Sequence, residues 1–262
     1  MNDNDILKEV VATCKKAGNF IRTESLSFDR NHVQEKKSFS DLVSYVDKQA
    51  EKMIVESLAK IDPSWGFIAE EGTGNQSDGW NWIIDPLDGT TNFIHGLPAY
   101  CVSVALAKGN DLQIAVIYDI PHDECFTAIK GQGAWCNEKP IRVSNAKTMQ
   151  QSLVATGFPY YDFEKLAPYL KVLEAIMNNS RGLRRMGSAA IDLAYTACGR
   201  FDAFFEYNLN AWDVAAGILL VREAGGTVTD FTGGDDCLFG RSLVCGSPAI
   251  QKELIEVIQK EW

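Results

Sequence analysis

Trp80-Asn81-Trp82-Ile83-Ile84-Asp85-Pro86-Leu87-Asp88-Gly89-Thr90-Thr91-Asn92-Phe93-Ile94-His95 is the stretch on which the reading of this chain turns. The apolar run Trp82 to Ile84 predicts a strand. Asp85-Pro86-Leu87-Asp88-Gly89 predicts a tight turn at the strand end, with two carboxylates three residues apart. Hydroxyls follow at Thr90 and Thr91, and Asn92-Phe93-Ile94 could begin a helix whose first amides face an anion. Taken alone, Asp and Pro in such an order mark a turn more often than a site. Gly89 shifts the balance because it permits close approach of backbone. The Leu87 carbonyl, lying between the aspartates, can supply a neutral ligand. Hard oxygens beside free N–H groups suit a divalent cation and a phosphate together.

Working outward, Gly66 to Ala69 is a short apolar run that stops at Glu70-Glu71-Gly72, as the central run stops at Asp85. Glu70 reads either as a solvated surface acid or as a partner of the two aspartates. Asp213, after Trp212, opens the apolar helix Val214 to Leu220 and reads locally as its N-cap. Helices are also predicted over 5–22, 41–60, 162–178, 188–198, 213–224 and from Pro248 onward, by apolar spacing and Gly or Pro stops. Strands are predicted at Tyr100 to Ala107, Leu112 to Tyr118, Cys125 to Ile129, Leu153 to Thr156, Phe201 to Glu206, Val228 and Leu243 to Cys245. Strands and helices intersperse without regular βαβ alternation, which favours layered α+β over a doubly wound parallel sheet.

The 262 residues suit one large domain. Net charge is −10, which argues against a nucleic-acid surface. It would also repel a phosphorylated substrate unless metal ions reverse the sign locally. Seven cysteines without a C-x-x-C pair read as scattered thiols of a reducing compartment. Three histidines are too few for a His-rich metal centre. The acidic start Met1-Asn2-Asp3-Asn4-Asp5 is unlike a signal peptide, and no apolar run reaches membrane-spanning length. The expectation is a cytoplasmic protein with no membrane and no nucleic-acid partner.

The segment Trp82 to Phe93, together with Trp212-Asp213-Val214-Ala215-Ala216-Gly217 and Glu223-Ala224-Gly225-Gly226, resembles the two signatures of the inositol monophosphatase family. The resemblance extends to the block Lys36 to Asp47, to Glu70-Glu71-Gly72 and to Gly246-Ser247-Pro248-Ala249-Ile250. It implies a single domain over 1–262, an α-β-α-β-α sandwich with an N-terminal α+β part to about residue 150 and a C-terminal α/β part from about 151. It implies two or three Mg²⁺ ions: Glu70, Asp85 and the Leu87 carbonyl at the first, Asp85, Asp88 and Asp213 at the second, and a looser ion near Glu70. Glu70 and Thr90 would orient the attacking water, with Asp47 accepting from the Thr90 hydroxyl. Gly89 and Thr90 amides would hold phosphate. Lys36 or Lys37 would stand near the metals. A homodimer and lithium sensitivity are further expectations from the family.

For the substrate, the resemblance places Glu206 at a polyol hydroxyl, Arg184 near a substrate-facing arginine, and Ser188 and Ala189 in a segment lining the sugar. Glu206 also has a plain reading as a strand-end acid, and Ser188 and Ala189 as a helix start. The leading expectation is Mg²⁺-dependent hydrolysis of a small phosphomonoester, foremost inositol 1-phosphate. Related enzymes acting on fructose 1,6-bisphosphate, histidinol phosphate or adenosine 3′,5′-bisphosphate are the alternative. The nucleotide-cleaving relatives usually carry Lys after Gly-Thr, where this chain has Thr91. A non-catalytic regulatory protein of the same fold is the reading from another class, and such a protein would be expected to lose carboxylates.

Overall fold

Apolar residues at helical spacing form the first helix, α1 (Asp3–Ser25), with Ile6, Val10, Cys14, Ala17 and Ile21 on its buried face. The Asn2 side chain caps it by accepting from the Asp5 N–H. The computed structural model describes residues 1–29, 34–35, 42–158 and 163–262, so Lys36 and Lys37 lie outside the described residues. Two short antiparallel strands, β1 (Gln34–Glu35) and β2 (Leu42–Val43), precede α2 (Tyr45–Leu58). Then come β3 (Gly66–Ala69), β4 (Trp80–Asp88), the short α3 (Thr90–His95), β5 (Cys101–Lys108), β6 (Asp111–Asp119) and β7 (Glu124–Ile129). β8 (Gly133–Cys136) and β9 (Lys139–Pro140) complete the first sheet, whose spatial order follows the chain from β3 to β9. Only β3 and β4 run parallel in it.

The second half contains β10 (Leu153–Thr156), α4 (Leu166–Asn179), β11 (Gly182–Arg184), α5 (Ala189–Ala197), β12 (Ala203–Tyr207) and α6 (Ala211–Glu223). β13 (Thr227–Thr229), β14 (Ser242–Gly246) and α7 (Pro248–Glu261) close the chain. The second sheet has the order β11-β10-β12-β14-β13. Its first three strands are mutually parallel and the other pairings antiparallel.

Three apolar clusters define five layers. α1 and α2 bury Val10, Ile54 and Leu58 against Trp82, Ile84 and Val104 on the outer face of the first sheet. α5 and α6 fill the space between the sheets, packing Leu193, Val214 and Ile218 against Ile83 and Ala105 on one side and Phe204 and Cys245 on the other. α4 and α7 cover the far face of the second sheet with Val172, Ile176, Leu254 and Ile258. The expected α-β-α-β-α sandwich is therefore the observed one. Gly217 explains how two helices share one layer: a Cβ there would lie 2.4 Å from Leu193 side-chain atoms.

Sequence and structure differ at the central motif. Asp85 and Asp88 do not sit on a tight turn; both lie within β4, still paired with β5. Asp85 faces Ser103 and Asp88 faces Cys101, so β4 spends three residues where β5 spends two. That is a bulge of one residue at Pro86-Leu87. In a regular strand, positions three apart point to opposite faces. The extra residue turns both carboxylates to the same, inter-sheet face. α6 also begins at Ala211, two residues earlier than predicted, with Asn210 rather than Asp213 as its N-cap.

Candidate active site

The site assembles where strand ends meet helix N-termini. The Glu70 N–H donates to the Ile84 carbonyl at 3.2 Å, which prolongs the parallel pairing of β3 with β4. Glu70 therefore emerges beside Asp85. Asp85 is buried, at 2% exposure, and its Oδ1 accepts from the Leu87 N–H at 3.0 Å, bracing the bulge.

Helix starts grip the other carboxylates. The Ser188 hydroxyl and the Ala190 N–H, at the start of α5, both donate to Oδ2 of Asp88, at 2.7 and 2.6 Å. Ser188 and Ala189 were expected at a sugar. The structure makes Ser188 the N-cap of α5 and a donor to Asp88, while Ala189 is its first residue, buried in the central core. Asp213 is the third residue of α6, and its Oδ2 accepts from the Asn210 N–H at 2.6 Å in a capping box. Arg241 donates in turn to the Asn210 side chain at 3.0 Å.

α2 begins with the same device. Ser44 caps it, and Oδ2 of buried Asp47 accepts from the Ser44 N–H and hydroxyl at 2.8 and 2.7 Å. That leaves Oδ1 to accept from the Thr90 hydroxyl at 2.8 Å, across 43 residues of sequence. The Leu87 carbonyl also lies 3.0 Å from the Thr90 hydroxyl. Gly89 precedes Thr90 with φ +96°, and a Cβ on it would meet the Ala99 carbonyl at 2.6 Å. No other residue fits that position without strain.

The acids press on one another. Burial pushes Asp85 well above its usual range, and the charges of Glu70, Asp88 and Asp213 add to this. Burial likewise raises Asp88 to about 6, against donors from Ser188, Ala190 and Gly89. Asp213 rises to about 8 through burial and then the charge of Asp88. Among the described residues no three such side chains stand in the tight grouping of a ready-made metal sphere. A hard divalent cation takes waters and carbonyls into its coordination as well as side chains. The donors are all oxygens, carboxylates plus the Leu87 carbonyl, and these fit a hard divalent cation.

Further acids stand on the second sheet and on α5. Glu206 on β12 stands against the bare Cα of Gly157, where any Cβ would collide with its carboxylate. Burial, then the charge of Asp213, raises it to about 8. Arg184 is exposed and donates to its neighbour's carbonyl, Leu183 O, at 2.9 Å. Arg185, the next residue, is the guanidinium whose charge acts on Asp88, Glu206 and Asp192, while also lying over the Phe158 ring. Asp192 went unnoticed in the sequence. It is buried on α5, its Oδ1 has no hydrogen-bond partner among the described residues, and burial and Glu206 hold its carboxyl well above the usual range. A lone acid inside an apolar helix gives no sequence signal for such a place.

The layered fold and the acid cluster at helix N-termini define a class of phosphate-handling protein, and comparison with known proteins agrees. The inositol monophosphatase family model matches residues 2–262, and the chain belongs to that family. An inositol-1-monophosphatase of Rhizobium meliloti (strain 1021) is 44% identical over 261 residues, 97% of this chain and 96% of that one. The Nus factor SuhB of Escherichia coli (strain K12) is 41% identical over 259 residues, 98% and 96% of the two chains. Among solved structures, the extragenic suppressor protein suhB of Bartonella henselae superposes with a TM-score of 0.92 at 39% identity, covering 98% of this chain and 100% of that one. The family is generally metal-dependent.

Proposed function

We propose that this protein is a Mg²⁺-dependent phosphomonoesterase, with inositol 1-phosphate as its foremost substrate. The observation that carries the reading is the convergence of Glu70, Asp85, Asp88 and Asp213 on one face, beside the Asp47–Thr90 hydrogen bond. In this reading Glu70, Asp85 and the Leu87 carbonyl hold one Mg²⁺, Asp85, Asp88 and Asp213 a second, and a third sits loosely near Glu70. Bound there, the ions neutralise phosphoryl charge and acidify water.

The chain's own groups supply orientation. With its O–H donating to Asp47, the Thr90 oxygen keeps its lone pairs for a hydrogen of the attacking water. Glu70 orients the same water. The Thr90 N–H, and the Gly89 N–H once it leaves Asp88, take phosphate oxygens at the start of α3. Such positioning is most of what phosphoryl transfer asks of a protein. Glu206 accepts from a polyol hydroxyl, and Arg185 adds positive charge at the mouth of an otherwise acidic site.

A second reading has support in the name Nus factor borne by the 41% identical relative: a regulatory protein that keeps the fold. The complete set of carboxylates favours catalysis. The test is phosphate release from inositol 1-phosphate, fructose 1,6-bisphosphate, histidinol phosphate and adenosine 3′,5′-bisphosphate, with Mg²⁺ and with excess chelator. Turnover is expected with Mg²⁺, highest on inositol 1-phosphate, and none after verified metal removal. Undiminished turnover in chelator would sink the mechanism, and no turnover on any ester would favour the regulatory reading.

A further inference from the structure

We propose that Glu51 is a positioning residue for the loop that carries Glu70. It acts from the same helix that holds Thr90 through Asp47. The inference rests on the phosphatase reading and extends it to an acid outside the metal-ligand set.

Glu51 lies on α2, one turn beyond Asp47, and both have no solvent exposure. Glutamates are seldom fully buried unless their oxygens are partnered. Oε2 of Glu51 accepts from the Glu71 N–H at 2.7 Å, and Oε1 accepts from the Thr73 N–H at 2.8 Å. These two amides belong to the segment directly after Glu70. There the chain leaves the sheet: the Glu70 N–H makes its bond to Ile84, and the Gly72 N–H, at φ +81°, turns back to Ala69 at 3.2 Å. Glu71 and Thr73 thus point N–H groups away from β4, and Glu51 receives both. The loop is pinned on one side by the sheet and on the other by a helix.

Spacing makes this more than an anchor. Asp47 and Glu51 are four residues apart, so they share a helix face. One carboxylate fixes the Thr90 hydroxyl and the other fixes the backbone around Glu70. The two groups assigned to orient the attacking water hang from one rigid turn of α2. Outer partners of metal ligands set ligand orientation, and a site 1 Å too loose loses its function.

The test compares the full-length wild type with Glu51→Gln, Glu51→Asp and Leu254→Ala. Gln keeps the shape but places an NH₂ against an N–H donor. Asp keeps the charge but falls one methylene short. Leu254, buried in the far layer, provides a variant destabilised without touching the site. Mn²⁺ binding is measured by the loss of the free-ion electron paramagnetic resonance signal, at a temperature where each variant is folded. Mg²⁺ activation of phosphate release is followed in parallel.

Both Glu51 variants are expected to bind Mn²⁺ about 10-fold more weakly, with a matching rise in half-activating Mg²⁺, a lower kcat and little change in KM. Leu254→Ala should bind Mn²⁺ as the wild type does. Wild-type Mn²⁺ affinity in both Glu51 variants, or a loss no greater than that of Leu254→Ala, overturns the proposal and leaves Glu51 as an anchor for stability alone. If Glu51→Gln does not fold, Glu51→Asp decides. If the wild type itself releases no phosphate, the phosphatase reading fails, while the Mn²⁺ comparison still decides whether Glu51 positions the loop.

Discussion

Asp88 shows how one residue carries two roles that the sequence shows singly. As a turn former it would tolerate amide replacement. As the acceptor of the α5 N-terminus through Oδ2, it has its second oxygen directed by that grip. Asn at this position keeps one oxygen for Ser188 and Ala190 and removes the charge a cation needs. Asp88→Asn is therefore expected to lower kcat about 100-fold or more, at or beyond the upper end of what losing an outer partner costs. Stability without metal should hold or rise slightly, because a buried charge that acts on Asp85 and Asp213 is removed. Kinetics at saturating Mg²⁺ and thermal melts in chelator check both halves; near-normal kcat would return Asp88 to a purely structural role. The neighbouring arginines teach the opposite lesson. Arg184 and Arg185 are equivalent in sequence, and only the path of the chain after β11 decides that the second acts on the acids.

Elements place these residues by their ends. The starts of α2, α3, α5 and α6 supply Asp47, Thr90, the donors to Asp88, and Asp213. Helix N-termini carry partial positive charge, which offsets some of the repulsion among the acids. α3 is the shortest of them, six residues whose entry depends on Gly89 in the left-handed region. Gly89→Ala is expected to cost about 1–3 kcal/mol from backbone strain, more if the Ala99 carbonyl cannot yield. It should also displace the Thr90 hydroxyl from Asp47, so activity should fall further than stability at temperatures where the variant is folded. A melt with activity measured on the folded fraction tests this; a wild-type melt would mean that the turn accommodates a side chain. Local pattern revealed such elements where they were long or apolar: Gly66–Ala69, Leu153–Thr156 and the start at Pro248 fall where the sequence places them. β8, β9 and β11 were missed, being two to four residues long with glycine or proline in each. The bulge at Pro86-Leu87 was read as a turn, because the partner strand that counts its residues lies elsewhere in the chain. The Ser188–Asp88 bond spans 100 residues, which no local pattern reports.

At the scale of the molecule, an acidic chain gathers its most strained acids at one point between two sheets. Burial and mutual charge raise Asp85, Asp88, Asp213 and Glu206, with Asp88 at about 6 and the last two at about 8. In the unfolded chain these groups titrate near about 4. A folded-state value above the unfolded one means that the folded protein binds more protons through this window. The stability tied to these groups is fully present below about pH 4 and is lost as pH rises through the folded values. Glu124 is lowered by its contact with Arg200, so its contribution runs the other way, and its window lies below pH 5. Without metal, the melting temperature should therefore fall between pH 5 and about pH 8.5. A divalent cation offers the acids a counter-charge in place of protons, and binding to the folded state alone adds stability by mass action. With saturating Mg²⁺ the fall should flatten, and protons should be released on binding at pH 6 to 7. Thermal melts across pH in chelator and in Mg²⁺ measure the first effect, and calorimetry in buffers of different ionisation enthalpy measures the second. Parallel melting curves with no proton release would mean that Asp85, Asp88 and Asp213 do not share a cation, whatever reaction the protein performs.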